Sequence, residues 1–110
     1  MRRHTRVLSR AAERTIAHAV ELILGAAPEA AEIWFHGSRS RGDHRPDSDW
    51  DFLVVIPDEI AQQDHERAMT ALRLLPDHLD AQTVGAAAFR GDSYGGPSYW
   101  ARQEGRRVWP

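Results

Sequence analysis

The 110-residue chain has no cysteine, so disulfides, thiolate nucleophiles and cysteine-based zinc sites are all excluded. It has no lysine either: all 14 of its basic residues are arginine. Arginine presents a planar fork suited to phosphate and carboxylate, although a genome rich in G and C would produce the same bias. A large excess of either charge is also lacking. A formal net charge of −2 gives no electrostatic case for general nucleic-acid binding. No apolar run approaches the roughly 18 residues that a membrane helix needs. The basic opening MRRHTR leads into an amphipathic stretch rather than a signal-peptide core. The expectation is a cytoplasmic protein with no membrane and no direct nucleic-acid partner.

At 42% hydrophobic and 27% charged residues, the composition is that of a globular chain, and its length suits one domain over 1–110. Apolar residues Ala12, Ile16, Ala19, Val20, Ile23 and Leu24 recur at helical spacing. They predict a helix over 9–24, capped by Ser9 and ended by Gly25 and Pro28. Short strands are predicted at 31–36, 49–56 and 79–84, with a tight turn or a brief helix after Gly37. Asp58 is expected to cap a second helix reaching Leu75, with Ala61, Ala68, Leu72 and Leu75 inward and Pro76 stopping it. Residues 86–97 read as a loop with a sharp turn at Gly95 and Gly96. A helix over 98–105 and a closing strand RRVW complete the chain. Strands interleaved with helices predict an α+β or α/β sheet covered by helices.

The most informative stretch is GSRSRGDHRPDSDWD, residues 37 to 51. Gly37 and Ser38 form a small-residue turn after one strand. After ten intervening residues, Asp49 and Asp51 open the next strand. Alternation places both carboxylates on one face, roughly 7 Å apart at the backbone. That separation lets them share a pair of cations about 3.5–4 Å apart, as phosphoryl-transfer sites require. Oxygen-only donors favour Mg²⁺ or Mn²⁺ over zinc.

A third acid on a neighbouring strand would complete the coordination and orient an attacking hydroxyl. Asp80 fits, because an acid within the strand LDAQTV demands a reason. Gln82 and Val84 would share its face. Gly37 lets backbone approach a phosphate, Ser38 offers a hydroxyl, and a helix starting there would aim its amides at the anion. Arg39 and Arg41 can grip phosphate or pyrophosphate, while Ser48 can brace the loop or a carboxylate.

Ordinary roles account for other residues. Asp43 and Asp47 serve the turn, and His36 is a partly buried strand residue. His4, His18, His44, His65 and His78 lack ligand spacing and read as surface, and Trp100 and Trp109 read as packing. Tyr94 and Tyr99, near the glycine-rich loop, are candidates to accept nucleotide themselves. Leu53 and Val55 share the carboxylate face while Phe52, Val54 and Ile56 fill the other. A sheet apolar on both faces is normally covered on both, so a partner protein or a second copy is expected on the open side.

At these residues the chain resembles the minimal nucleotidyltransferases (MNT domains) of the DNA-polymerase-β-like superfamily. Their signature is Gly-Ser, a spacer, Asp-x-Asp and a third Asp on a later strand. The ten-residue spacer is similar to that of MNT antitoxins paired with HEPN-domain ribonuclease toxins. The resemblance runs from Ala31 to the closing EGRRVW. It implies a small mixed sheet with helices packed mainly on one face. It also implies that Gly37 and Ser38 contact nucleotide phosphates, with Arg39 and Ser48 beside them. Asp49, Asp51 and Asp80 would be the metal-binding and catalytic triad, with two Mg²⁺ ions as cofactor. The implied reaction moves AMP from ATP to a hydroxyl, in the antitoxin branch a tyrosine of the HEPN toxin. His36 and Trp50 depart from the usual residues there without replacing a ligand. Larger relatives complete their pocket with an extra helical domain, so an acceptor carried by another protein is expected. The alternatives are transfer to a small molecule, or a catalytically silent module that neutralises its partner by occlusion.

Overall fold

A computed structural model describes residues 7–91 and 96–110 of the chain. The expectations for Tyr94, Gly95, His4 and the basic opening at residues 1–6 fall outside the described residues. Helix α1 (Arg10–Ala26) starts where the sequence predicts, because the Ser9 hydroxyl accepts a hydrogen bond from the Ala12 amide at 3.1 Å. It does not stop at Gly25. The helix continues to Ala26, and the Ala27 amide closes on the Ile23 carbonyl at 2.7 Å. Its apolar stripe buries Ile16, Ala19 and Ile23, each large side chain contributing roughly 1.5–3 kcal/mol.

Strand β1 (Glu32–His36) leads through Gly37 into α2 (Ser38–Arg41), a single turn held between two left-handed glycines, Gly37 (φ 85°) and Gly42 (φ 94°). Strand β2 (Trp50–Ile56) follows the loop, then helix α3 (Gln62–Arg73) and strand β3 (Leu79–Gly85). The chain closes with helices α4 (Ala86–Arg90) and α5 (Pro97–Glu104) and strand β4 (Arg106–Trp109).

Two expectations change here. Ala61, not Asp58, occupies the N-cap of α3. The Asp58 carboxylate instead accepts from the Ala87 amide at 2.9 Å, capping α4 from 29 residues away. The stretch expected to be loop is therefore helical over 86–90. Its three alanines are the strongest helix formers available, and Phe89 anchors it, fully buried against the Trp34 ring at 5.4 Å between centroids.

The strands form one mixed sheet in the order β3-β2-β1-β4. β1 runs antiparallel to both β2 and β4, whereas β2 and β3 are parallel. On one face α1 and α3 cover Ile33, Phe35, Phe52, Val54 and Ile56, the principal core. On the other face α4 and α5 cover a smaller core of Leu53, Val55, Phe89 and Ala101. Leu53 and Val55 are only 2% and 1% exposed, because α4, expected as loop, packs on them together with α5. Among the described residues, no helix is long and apolar enough to cross a membrane.

Candidate active site

Strand register builds the site. His36 pairs with Asp51 across β1 and β2, and Asp51 pairs with Asp80 across β2 and β3. Directly paired residues project to the same face, so these three side chains form one polar rung at the end of the smaller core. The rungs behind it, Trp34–Leu53–Gln82 and Glu32–Val55–Val84, carry the apolar residues on which α4 and α5 rest.

Gly37 makes room for that rung. Its backbone (φ 85°, ψ −165°) occupies a region essentially reserved for glycine. A Cβ there would lie 2.1 Å from Asp51 Oδ2. In α2 the amides of Ser40 and Arg41 both close on the Gly37 carbonyl, at 3.1 and 3.0 Å. The buried Ser40 hydroxyl donates to the Glu104 carbonyl at 3.2 Å, tying the Gly-Ser turn to the end of α5.

These elements enclose a cavity of about 710 Å³. His36, Asp51 and Asp80 form its floor, Gly37, Ser38 and Arg41 one side, and Gln82 lies toward the sheet edge. Pro97, Trp100 and Glu104 of α5 form the opposite wall. The Arg41 guanidinium spans the two sides, 3.2 Å from Asp43 and 3.7 Å from Glu104.

Asp51 has its pKa raised from 3.8 to about 6, first by burial and then by the charges of Asp80 and Asp49, with Arg41 opposing. His36 has its pKa lowered, chiefly by burial, with Asp80 pulling the other way and Arg41 adding to the depression. The site thus holds crowded negative charge beside a histidine whose protonated form is disfavoured.

Of the residues singled out in the sequence, Gly37, Ser38, Asp51 and Asp80 meet at the cavity. Asp49 is exposed just before β2 and does not line it, although its charge reaches Asp51. Arg39 is turned away. Its Nε donates to the Ser48 carbonyl at 2.8 Å and its Nη2 to the Pro46 carbonyl at 3.0 Å, and the guanidinium lies 4.6 Å from the Trp50 ring centroid. Ser48 Oγ accepts from the Arg45 amide at 2.9 Å. In this structure Arg39 and Ser48 thus brace the loop, and Trp50, over which the Arg39 guanidinium lies, packs against the principal core rather than the cavity.

Glu104 and Trp100 were not anticipated as site residues. A signal was present: Pro97, Trp100 and Glu104 stand at i, i+3 and i+7, one face of a helix. Among the described residues, no three His, Cys, Asp or Glu side chains stand together at metal-ligating spacing. The donor chemistry on the floor, adjacent carboxylates in mutual repulsion, nevertheless fits a hard, oxygen-seeking cation.

A glycine-serine turn facing paired carboxylates at the end of a mixed sheet is a frame for handling nucleotide phosphates. In agreement, the family model for the nucleotidyltransferase domain matches residues 20–86, a span that includes Gly37, Ser38, Asp49, Asp51 and Asp80. The chain belongs to that family. Among solved structures, it is similar to a candidate nucleotidyltransferase from Sulfolobus solfataricus. Identity is 25%, with 74% of this chain and 78% of that one covered and a TM-score of 0.48. No curated protein matches it.

Proposed function

We propose that the chain transfers a nucleoside monophosphate, AMP from ATP, to a hydroxyl on a partner protein, a tyrosine of a HEPN-domain toxin, and so acts as an antitoxin. The observation that carries the transfer is the pairing of Asp51 with Asp80 on adjacent parallel strands, at a cavity entered past Gly37 and Ser38. The partner rests on the resemblance of the ten-residue spacer to that of MNT antitoxins.

In this reading the acceptor oxygen attacks the α-phosphorus and forms the new P–O bond. The bond from that phosphorus to the α,β-bridging oxygen breaks, and pyrophosphate leaves with the electron pair. The hydroxyl proton passes to a carboxylate oxygen of Asp80. Asp51 and Asp49 would hold two Mg²⁺ ions. Bound Mg²⁺ (or Mn²⁺) supplies charge neutralisation to the phosphates and the leaving group. Gly37 permits close approach of the chain to phosphate, and the Ser38 hydroxyl donates to it. Arg41 exchanges its contact with Glu104 for the pyrophosphate.

The test is incubation of the protein with α-labelled ATP, Mg²⁺ and a candidate HEPN partner. Label is expected on the partner, and its loss in Asp49→Asn identifies this chain as the source. A second reading, neutralisation by occlusion, draws on the exposed position of Asp49. It predicts tight association without label, unchanged by Asp49→Asn, and that result would overturn the transferase reading.

A further inference from the structure

The two edges of the sheet are finished differently. β4 is a four-residue strand with Arg106 and Arg107, its register against β1 slips between Ile33 and Trp34, and Pro110 follows it. Shortness, charge, irregular pairing and proline all keep a foreign strand off a sheet edge. β3 runs seven residues with neither a basic residue nor a proline, in unbroken parallel register with β2. Among the described residues no strand pairs with its outer side. Main-chain groups alternate between the two sides of a strand. The Trp50 amide donates to the His78 carbonyl at 2.8 Å, so those of Asp80, Gln82 and Val84 face β2, and those of Ala81 and Thr83 point outward. The side chains alternate too. Asp80 and Gln82 line the cavity, while Ala81 packs on the principal core and Thr83 lies 3.4 Å from His65 of α3. A groove of about 360 Å³ follows the same edge, lined by Met69, Leu72 and Arg73 of α3 and by residues 80–83 of β3. It meets the cavity at Asp80 and Gln82, which line both. Leu74, 81% exposed, stands next to Arg73 at the C-cap of α3.

From this geometry we propose that the outer edge of β3 receives an extended segment of the partner protein as an added strand, which carries the acceptor hydroxyl to the cavity. The inference rests on the nucleotidyl-transfer reading and adds the surface and the conformation in which its protein acceptor is held. Adjacent strands lie about 4.8 Å apart, and paired residues share a face. The guest residue opposite Asp80 therefore extends the His36–Asp51–Asp80 rung by one place. Its side chain points to the cavity side, beside the carboxylate that takes the proton. Outward amides and carbonyls at Ala81 and Thr83 bond the guest main chain, as in other strand-addition complexes. The residues before and after the acceptor turn to the α3 groove, where Met69 and Leu72 favour apolar side chains and Arg73 an acidic one. A second copy of this chain is a poorer occupant. Its own β3 would bring Asp80, Gln82 and Val84 to the cavity face, with no hydroxyl and one more carboxylate.

The test takes the full chain, labelled with ¹⁵N, and the candidate HEPN partner, and reads amide hydrogen exchange residue by residue. In the free chain the amides of Gln82 and Val84 are expected to exchange slowly and those of Ala81 and Thr83 quickly. Partner binding is expected to slow Ala81 and Thr83 by about tenfold or more. Thr83→Pro removes an outward amide and leaves the β2 ladder whole, as proline on an edge strand allows. It is expected to weaken the partner by about tenfold while inorganic tripolyphosphate binds as before. Arg73→Glu leaves the main chain as it is, is expected to weaken the partner as well, and replaces Thr83→Pro should that variant fail to fold. Partner affinity unchanged by the folded variant overturns edge docking. So does label on the partner while Ala81 and Thr83 still exchange quickly, and in that case the transfer reading stands. Protection of Ala81 and Thr83 in the free chain, lost on dilution, assigns the edge to a second copy and overturns the partner segment. Neither binding nor label removes the nucleotidyl-transfer reading and the docking together.

Discussion

The two faces of the sheet are built to opposite ends although they share every strand. On the α1/α3 face, Phe35, Phe52, Val54 and Ile56 are all 1% exposed or less. Aromatic rings meet there at 5.5 Å (Phe35–Phe52) and 5.8 Å (Phe35–Trp50) between centroids. On the α4/α5 face the apolar residues stop after two rungs, and the third rung is His36, Asp51 and Asp80. Alternation along β2 makes the division possible, since Asp51 and Phe52 are neighbours in sequence and belong to different faces. The principal core supplies stability, and it holds the carboxylates where their own repulsion would drive them apart. The acidic rung is a cost that the opposite face offsets.

That division can be broken from either side with one measurement, urea unfolding of single-residue variants. The largest effect is expected from Phe52→Ala, which opens the principal core and should destabilise by about 3–5 kcal/mol. A loss below 1 kcal/mol would mean that the α1/α3 face is not the main store of stability. Next comes Gly37→Ala, which places a Cβ 2.1 Å from Asp51 Oδ2 in backbone reserved for glycine. The strain should cost roughly 1–3 kcal/mol, and a neutral result would mean that Asp51 does not abut the turn.

The smallest effect has the opposite sign. Because the pKa of Asp51 is raised from 3.8 to about 6, the folded chain binds its proton more tightly than the unfolded chain does. Stability from this group therefore falls as pH rises from about 4 to 6, and the charged form carries its full cost above that range. In a chelating buffer Asp51→Asn is expected to raise Tm by a few degrees at most at pH 7, since Asp51 is only half-buried and solvent screens it. The gain should vanish near pH 4 while nucleotidyl transfer is lost at every pH. A lower Tm at pH 7 would show that the carboxylate stabilises the fold.

Much of this was legible in the sequence. The Gly37–Ser38 turn and the placing of Asp51 and Asp80 on one face were legible in the motif and the strand alternation, and the strand register pairs those two acids; Asp49, expected to open β2 beside Asp51, lies just before that strand. The helix periodicity of residues 12–24 predicted α1 to within two residues. What escaped depends on contacts distant in sequence. Asp58 looks like a local cap and is instead used by α4. Arg39 sits in the motif, yet the carbonyls of Pro46 and Ser48 claim its guanidinium. Arg41, two residues on, occupies the cavity in its place. Which of two arginines faces a site depends on the loop that folds back over them, and no spacing rule encodes that.

The pairing of Asp51 with Asp80 has a consequence for how the chain folds. A slip of β3 by one residue against β2 would push an acid into oil and an apolar residue into water. Any such isomer would therefore be unstable. The sheet proofreads its own alignment, so chains that survive folding carry Asp51 and Asp80 side by side.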